Sequence, residues 1–210
     1  MALSGLFLML FLLQHVSINA LSVFSPDAFN EVSQFMGTNP MVQFVMQPIL
    51  IFSVVFHFIM GMVLELKNRR SRDVKYAVNN GAANSTWMSR NMIISGLTVL
   101  AFLAMHFYDF WIPEVVTKFV NGDMTGMHDG IFRYYPELVH KFQDPIRVVL
   151  YIISFIMLAL HLLHGFQSSF QSVGFNHNRY TPILQKAGTV FGILVPAMFA
   201  FIAIFHFLAH

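Results

Sequence analysis

The chain has 210 residues, of which 56% are hydrophobic and 10% are charged, and it contains no cysteine. Soluble domains carry about 25% charged residues, so this composition predicts a membrane protein in a lipid bilayer, with no nucleic-acid partner. Without cysteine, the chain itself offers no disulfide, thiolate zinc site or iron–sulfur ligation. Any metal would therefore be held by histidine or by oxygen ligands. The net charge of +2 is informative only through its distribution along the chain.

Five apolar stretches are long enough for membrane-spanning helices, which need about 20 apolar residues each. These stretches, called helices I to V, are about residues 1–21, 44–66, 91–112, 146–166 and 184–209. No clear cleavage site follows helix I, so we expect a retained helix rather than a signal peptide. The sequence therefore predicts an all-α membrane protein with a single transmembrane domain, residues 1–210.

The loop charges predict an orientation in the membrane. The I–II loop has acidic residues and no basic ones, whereas the segment between helices II and III carries Lys67, Arg69, Arg70, Arg72, Lys75 and Arg90. The positive-inside rule places this basic segment in the cytoplasm, so the N-terminus is expected inside and the C-terminus outside. The same basic cluster fits a topology signal and a docking surface equally well.

Helices I to IV each contain a histidine near the middle of the helix: His15, His57, His106 and His161. A histidine inside a membrane segment is costly unless it has a function. At a rise of about 1.5 Å per residue, His15 and His106 lie roughly 6 Å to the outer side of their helix midpoints. His57 and His161 lie roughly 4 to 7 Å to the inner side. The four thus form two pairs at two depths, each from alternate helices, which are diagonal neighbours in an up-down bundle.

Two histidines that face each other across a bundle are a ligand set for a b haem. Zinc would require three or four ligands at one depth, and isolated histidines that hydrogen-bond between helices are the simpler alternative. Four histidines in two pairs favour two haems b. Gly61 and Gly165 each follow one of these histidines by four residues, on the same helix face. Both glycines would leave room for a haem ring.

Three further residues have two interpretations each. His164 lies close to His161 on a similar face, so it is either the ligand instead or a contact to a haem propionate. Arg90 opens helix III and either clamps a propionate or only anchors the helix at the interface. His206 in helix V has no partner at its depth, which favours a packing role over a quinone pocket. The remaining histidines, expected at the surface, are His128, His140, His177 and His210.

The charged residues argue against a pump or a proton-coupled transporter. No carboxylate lies in the middle of a predicted span, since Glu65 and Asp109 are near helix ends. A proton relay through this chain would therefore lack an acid to carry it.

Taken in order, these residues resemble the dihaem cytochrome b membrane anchor of succinate:quinone oxidoreductases, the single-chain five-helix type. The resemblance covers essentially the whole chain, and the sequence around Met1 and along helix IV looks most like the Bacteroidetes branch. The positions that carry it are Gln14-His15 with Asn19, Phe56-His57 with Gly61, Arg90 with Ser95-Gly96 and His106, and His161 with Gly165 and Gly174.

The resemblance implies a four-helix bundle, helices I to IV, around two haems. In that family the histidines of helices I and III hold the outer haem, here His15 and His106. Those of helices II and IV hold the haem nearer the cytoplasm, here His57 and His161. The glycine four residues after the helix IV ligand selects His161 over His164.

The resemblance also implies partners and a location. The chain would anchor a flavoprotein subunit and an iron–sulfur subunit on the cytoplasmic face of a bacterial inner membrane, with the C-terminus in the periplasm. Electrons would pass between the iron–sulfur clusters, the two haems and a quinone, with menaquinone expected. The family's outer quinone site often uses an acid after helix I, for which Asp27 and Glu31 are candidates. The alternatives are a dihaem subunit of a hydrogenase or formate dehydrogenase, and a cofactor-free transporter or structural membrane protein.

Overall fold

The structure, a computed structural model, describes residues 1–70, 92–128 and 130–210. Arg90 and much of the basic segment between helices II and III lie outside these residues. Among the described residues, five helices are long and apolar enough to cross a membrane: Ala2–Phe24, Val42–Asn68, Met92–Val120, Pro145–Ser172 and Thr181–Ala209. This confirms the prediction of a helical multi-pass membrane protein with five spans.

Among the described residues, seven α-helices of nine residues or more are numbered in chain order. They are α1 (Ala2–Phe24), α2 (Pro26–Thr38), α3 (Gln47–Arg70), α4 (Met92–His106), α5 (Tyr134–Phe142), α6 (Pro145–Ser172) and α7 (Thr181–Ala209). A π-helical turn, Val42–Met46, precedes α3, and α4 continues as Phe107–Trp111 (π), Ile112–Val115 (α) and Val116–Val120 (π). Two short strands, β1 (Met127–His128) and β2 (Ile131–Phe132), pair antiparallel.

Helix III runs to Val120 rather than to the predicted end at Ile112. Its extension includes the charged residues Glu114 and Lys118, but both side chains have partners. Lys118 pairs with Glu114 one turn earlier and donates to the Gly37 carbonyl, and Glu114 also pairs with Arg133. Lys118 is only 2% exposed. Since tertiary ion pairs replace the water that these groups would otherwise need, the helix continues beyond its apolar part.

Helix IV also extends beyond its predicted end, to Ser172, and stops in a Schellman motif. Gly174 has a positive φ of 95°, and its N–H donates to the Gln171 carbonyl at 3.1 Å. The N–H of Phe175 donates to the Phe170 carbonyl at 3.0 Å, and the two phenylalanine rings pack 6.0 Å apart. Gly174 therefore serves to end helix IV and to begin the turn toward α7.

The core lies between α1, α6 and α7. Helix α6 packs against α7 and α4, while α1 contacts α6, α7 and α3. Buried side chains from α6 and α7 meet here, among them Tyr151, Phe155, Phe199 and Ala203. Helix α3 contacts α1 and α4, but none of its described apolar side chains is buried and about half are exposed, as suits a helix that faces lipid. The fifth span is thus an integral part of the core rather than an appendage to helices I to IV.

Short elements cover one end of the spans, which we call the capped end: α2, the β1–β2 hairpin and α5. Ser25 caps α2, where its side chain accepts from the Ala28 N–H at 3.2 Å. The Asn30 side chain, on α2, accepts from the Tyr135 N–H at 2.8 Å and so fastens α2 to α5. Burial raises the pKa of Tyr134 above its ordinary value, because its phenolate would be poorly solvated there.

Candidate functional site

His15 and His106 lie side by side in the interior, and we call them the first pair. Their ring centroids are 5.8 Å apart and their ring planes differ by 86°. Aromatic side chains surround them. Phe11 stacks on His15 at 5.3 Å and Phe199 of α7 lies 5.7 Å from the same ring. Phe110 lies 5.3 Å from His106. The first pair is thus held in an apolar aromatic pocket.

His57 and His161 form a second pair with different neighbours. Their ring centroids are 6.3 Å apart and their planes differ by 66°. A serine hydroxyl lies beside Nδ1 of each ring, Ser4 at 3.2 Å from His57 and Ser95 at 3.4 Å from His161. The membrane depths estimated from the sequence group the same four histidines into the same two pairs. Their role as haem ligands stays a prediction.

The two serines determine which nitrogen of each second-pair ring carries a proton. Each hydroxyl donates its single hydrogen to the backbone carbonyl three residues earlier, at 2.7 Å for Ser4 and 2.9 Å for Ser95. Each Oγ must therefore accept from the imidazole, so Nδ1 of His57 and of His161 carries the hydrogen. Nε2 of both rings is left with a free lone pair. That tautomer, with Nδ1–H held by a second residue, leaves Nε2 able to bind a metal.

The spacing within each pair fits two ligands on one metal. Imidazole nitrogens bound at about 2 Å on opposite sides of one ion place the two ring centroids about 6 Å apart. The observed 5.8 Å and 6.3 Å both lie close to this value. Across the residues that the structure describes, no group of three His, Asp or Glu side chains could hold a metal ion, whereas haem iron needs only two protein ligands. Donor type and spacing thus fit a haem at each pair.

The two glycines predicted to leave room for haem do not contact the imidazoles in this structure. A Cβ at Gly61 would lie 3.5 Å from Cε of Met1, and a Cβ at Gly165 would lie 3.6 Å from Cε of Met92. Both neighbours are tips of flexible methionine side chains, which repack readily. The gaps at these glycines are therefore closed here by groups that a bulkier occupant can displace.

Two other glycines lie directly against the second pair. A Cβ at Gly5 would lie 3.4 Å from Cε1 of His57, and one at Gly96 would lie 3.7 Å from Cε1 of His161. Each glycine follows the serine that bonds the same ring, so a Ser-Gly dipeptide on α1 serves His57 and another on α4 serves His161. Sequence reasoning missed Gly5, although the repeated Ser-Gly was a signal that could have identified it.

The two histidines that had two interpretations each, His164 and His206, have different surroundings. The ring beside His57 is that of His161, and His164 lies one turn further on, partly buried. His206 is fully buried, and its Nε2 lies 2.9 Å from the Ser22 hydroxyl. Ser22 donates to the Asn19 carbonyl at 2.6 Å, so His206 Nε2–H donates to Ser22. His206 therefore has a partner on helix I that its depth alone did not indicate.

Asp109, predicted near a helix end, is buried among partners. Its side chain is 0% exposed. Oδ2 accepts from the Tyr151 hydroxyl at 2.9 Å and lies 3.2 Å from Nε of Arg147. Nζ of Lys141 lies 3.9 Å from Oδ1. By contrast, the two acids proposed for an outer quinone site, Asp27 and Glu31, are exposed on α2.

Comparison with protein-family models gave no match, and comparisons with curated protein sequences and with solved structures gave no similar protein. The functional assignment therefore depends on the arrangement of side chains described above and on the resemblance of individual motifs.

Proposed function

We propose that this chain is the dihaem cytochrome b membrane anchor of a succinate:quinone oxidoreductase. One haem b would be held by His15 and His106, and a second by His57 and His161. One observation carries this proposal. Each of four helices contributes one imidazole, and the four rings form two separate pairs with centroid distances of 5.8 Å and 6.3 Å. A b haem with two histidine ligands supplies one-electron transfer.

The surrounding side chains fix the ligands in different ways. Ser4 and Ser95 hold the Nδ1–H groups of the second pair, which sets the tautomer and limits rotation of the rings. Phe11 and Phe199 pack on His15 and exclude water from the first pair. Low polarity around a redox centre disfavours its more highly charged state, so the two environments would give the two haems different reduction potentials.

The charge pattern supports an orientation. The basic segment between helices II and III would lie in the cytoplasm of a bacterial cell, with the N-terminus inside and the C-terminus in the periplasm. The second pair then lies nearer the cytoplasm, where the iron–sulfur and flavoprotein subunits would dock, and the capped end faces the periplasm. Contacts of α1 with α3 and α6, and of α4 with α3 and α6, support a bundle of helices I to IV around the haems.

Purification of the intact complex from membranes tests this proposal. We expect two haems b per chain by pyridine haemochrome quantitation, a copurifying flavoprotein with covalent FAD, and succinate–menaquinone reductase activity. A chain without a Soret band would refute the proposal and favour a cofactor-free membrane protein. Two haems with hydrogenase or formate dehydrogenase subunits instead of a flavoprotein would support the alternative respiratory complex.

A further inference from the structure

An ion cluster around the buried side chain of Asp109 lies beside the first histidine pair and not beside the second. It consists of Asp109 on the π-helical extension of α4, Arg147 on α6 and Lys141 on α5, all at the capped end. Asp109 Oδ1 is buried and has no hydrogen-bond partner among the described residues. Four further charged groups at this end, Glu114, Lys118, Arg133 and Glu137, pair among themselves.

Asp109 is close to the first pair in sequence and in space. It follows His106 by three residues along helix III, within the π-helical turn Phe107–Trp111. The Tyr151 hydroxyl donates to Asp109 at 2.9 Å, and the Tyr151 ring lies 6.4 Å from the His106 ring. The π-helical turn Phe107–Trp111 changes the face on which Asp109 points, and such turns often occur at functional sites.

The second pair is much further from this cluster. Tyr151 and His161 are both on α6, and ten residues of α-helix place them about 15 Å apart along the axis. A charge at Asp109 therefore acts more strongly on an iron held by His106 than on one held by His161. The interior has a low effective dielectric constant, so this difference is not removed by screening.

We propose that the cluster of Asp109, Arg147 and Lys141 sets the reduction potential of the haem at the first pair relative to that at the second, an inference that rests on the proposed function. The cluster holds one negative and two positive groups. A positive charge near a haem destabilises the ferric form, which carries one more positive charge than the ferrous form, and a negative charge stabilises it. Asp109 thus lowers the potential of the first haem, and Arg147 and Lys141 raise it.

The two members of the cluster give opposite predictions. Asp109→Asn removes the negative group and leaves both cations, so the first haem becomes easier to reduce. Arg147→Gln removes a cation and leaves Asp109, so the first haem becomes harder to reduce. For a charge roughly 10 Å from the iron at an effective dielectric constant of about 20, the change in the ratio of oxidised to reduced haem is about tenfold at fixed ambient potential. For a one-electron couple this is a shift of about 59 mV.

Spectroelectrochemical titration of the intact purified complex tests the proposal. His57→Ala and His106→Ala, each expected to retain one haem, assign the two titration waves. We expect opposite shifts of the first haem in Asp109→Asn and Arg147→Gln, with less than half that shift at the second haem. Tyr151→Phe keeps the ring and all charges. It should change the ratio of oxidised to reduced haem by no more than about twofold at either haem. Asp123→Asn makes the same charge change at a partly exposed loop position of the capped end and serves as a matched control.

Shifts of the same sign in both charge variants, or equal shifts at both haems, would overturn the proposal. If Asp109→Asn fails to assemble, Arg147→Gln alone decides, since its first haem must become at least several-fold harder to reduce. The proposed function fails separately: wild-type protein without two haems refutes that function. A wild-type protein with two haems whose variants do not shift refutes only the role of the cluster.

Discussion

The two histidine pairs have nearly the same spacing but opposite surroundings. The first pair, His15 and His106, lies among phenylalanine rings near the ion cluster of Asp109 and beneath the capped end. The second pair, His57 and His161, lies against two serines and two glycines. Orientation of the ligands is thus achieved by aromatic packing at one site and by hydrogen bonds at the other. Haem binding at each site should therefore be sensitive to a different kind of substitution.

The largest expected effect is the loss of a whole haem from one site. His161→Ala removes a ligand of the second pair, so we expect one haem per chain instead of two by pyridine haemochrome quantitation. His164→Ala is the matched control, one turn away on the same helix, and should retain both haems. The opposite result would exchange the ligand assignment of these two residues.

The capped end should make a large contribution to stability. Lys118 is almost fully buried and pairs with Glu114, so Lys118→Met breaks a buried ion pair and should lower the free energy of unfolding by about 3 kcal/mol. Denaturant unfolding in detergent, followed by circular dichroism, measures this change. Lys186→Met, at an exposed position of α7, should leave stability within about 0.5 kcal/mol of wild type. Equal losses in the two variants would contradict the buried network.

The serines of the second pair should affect haem affinity selectively. Ser95→Ala removes the acceptor for the His161 Nδ1–H. Hydrogen-bond partners of metal-binding histidines typically contribute about 10- to 100-fold in metal affinity. We expect haem to transfer to a scavenging haem protein at least tenfold faster from this variant. The corresponding change at the first pair, Asn19→Ala, should have a smaller effect, because the Asn19 amide reaches His15 Nδ1 only at 3.5 Å. Equal rates for the two variants would remove the proposed difference between the sites.

The smallest expected effect concerns the glycines that touch the second pair. A Cβ at Gly5 would lie 2.9 Å from the Ser169 hydroxyl and 3.4 Å from His57, whereas a Cβ at Gly96 meets His161 at an ordinary 3.7 Å. Gly5→Ala should therefore displace the His57 ring slightly and shift the α-band of one haem. Gly96→Ala should leave the reduced spectrum unchanged. A larger shift in Gly96→Ala would mean that the ring positions differ from those described here.

The sequence predicted the five spans and the grouping of histidines because both depend on local quantities, apolar length and distance along a helix. Helix III was predicted too short because contacts with other parts of the chain stabilise its last turns, from Lys118 to the Gly37 carbonyl and from Glu114 to Arg133. Asp109 was placed near a helix end, and its burial escaped prediction because a π-helical turn and a distant Tyr151 hydroxyl determine it. The contact of Gly5 with the His57 ring also depends on tertiary packing, and only the repeated Ser-Gly dipeptide indicated it in the sequence.

The central claim is that each of the two pairs holds one low-spin haem. Electron paramagnetic resonance of the oxidised, intact complex, integrated against the concentration of this chain, tests it most directly. We expect two low-spin ferric haem signals, each close to one spin per chain, and the loss of a different signal in His106→Ala and in His57→Ala. A single signal, a high-spin signal, or the loss of the same signal in both variants would contradict the assignment of two separate histidine pairs.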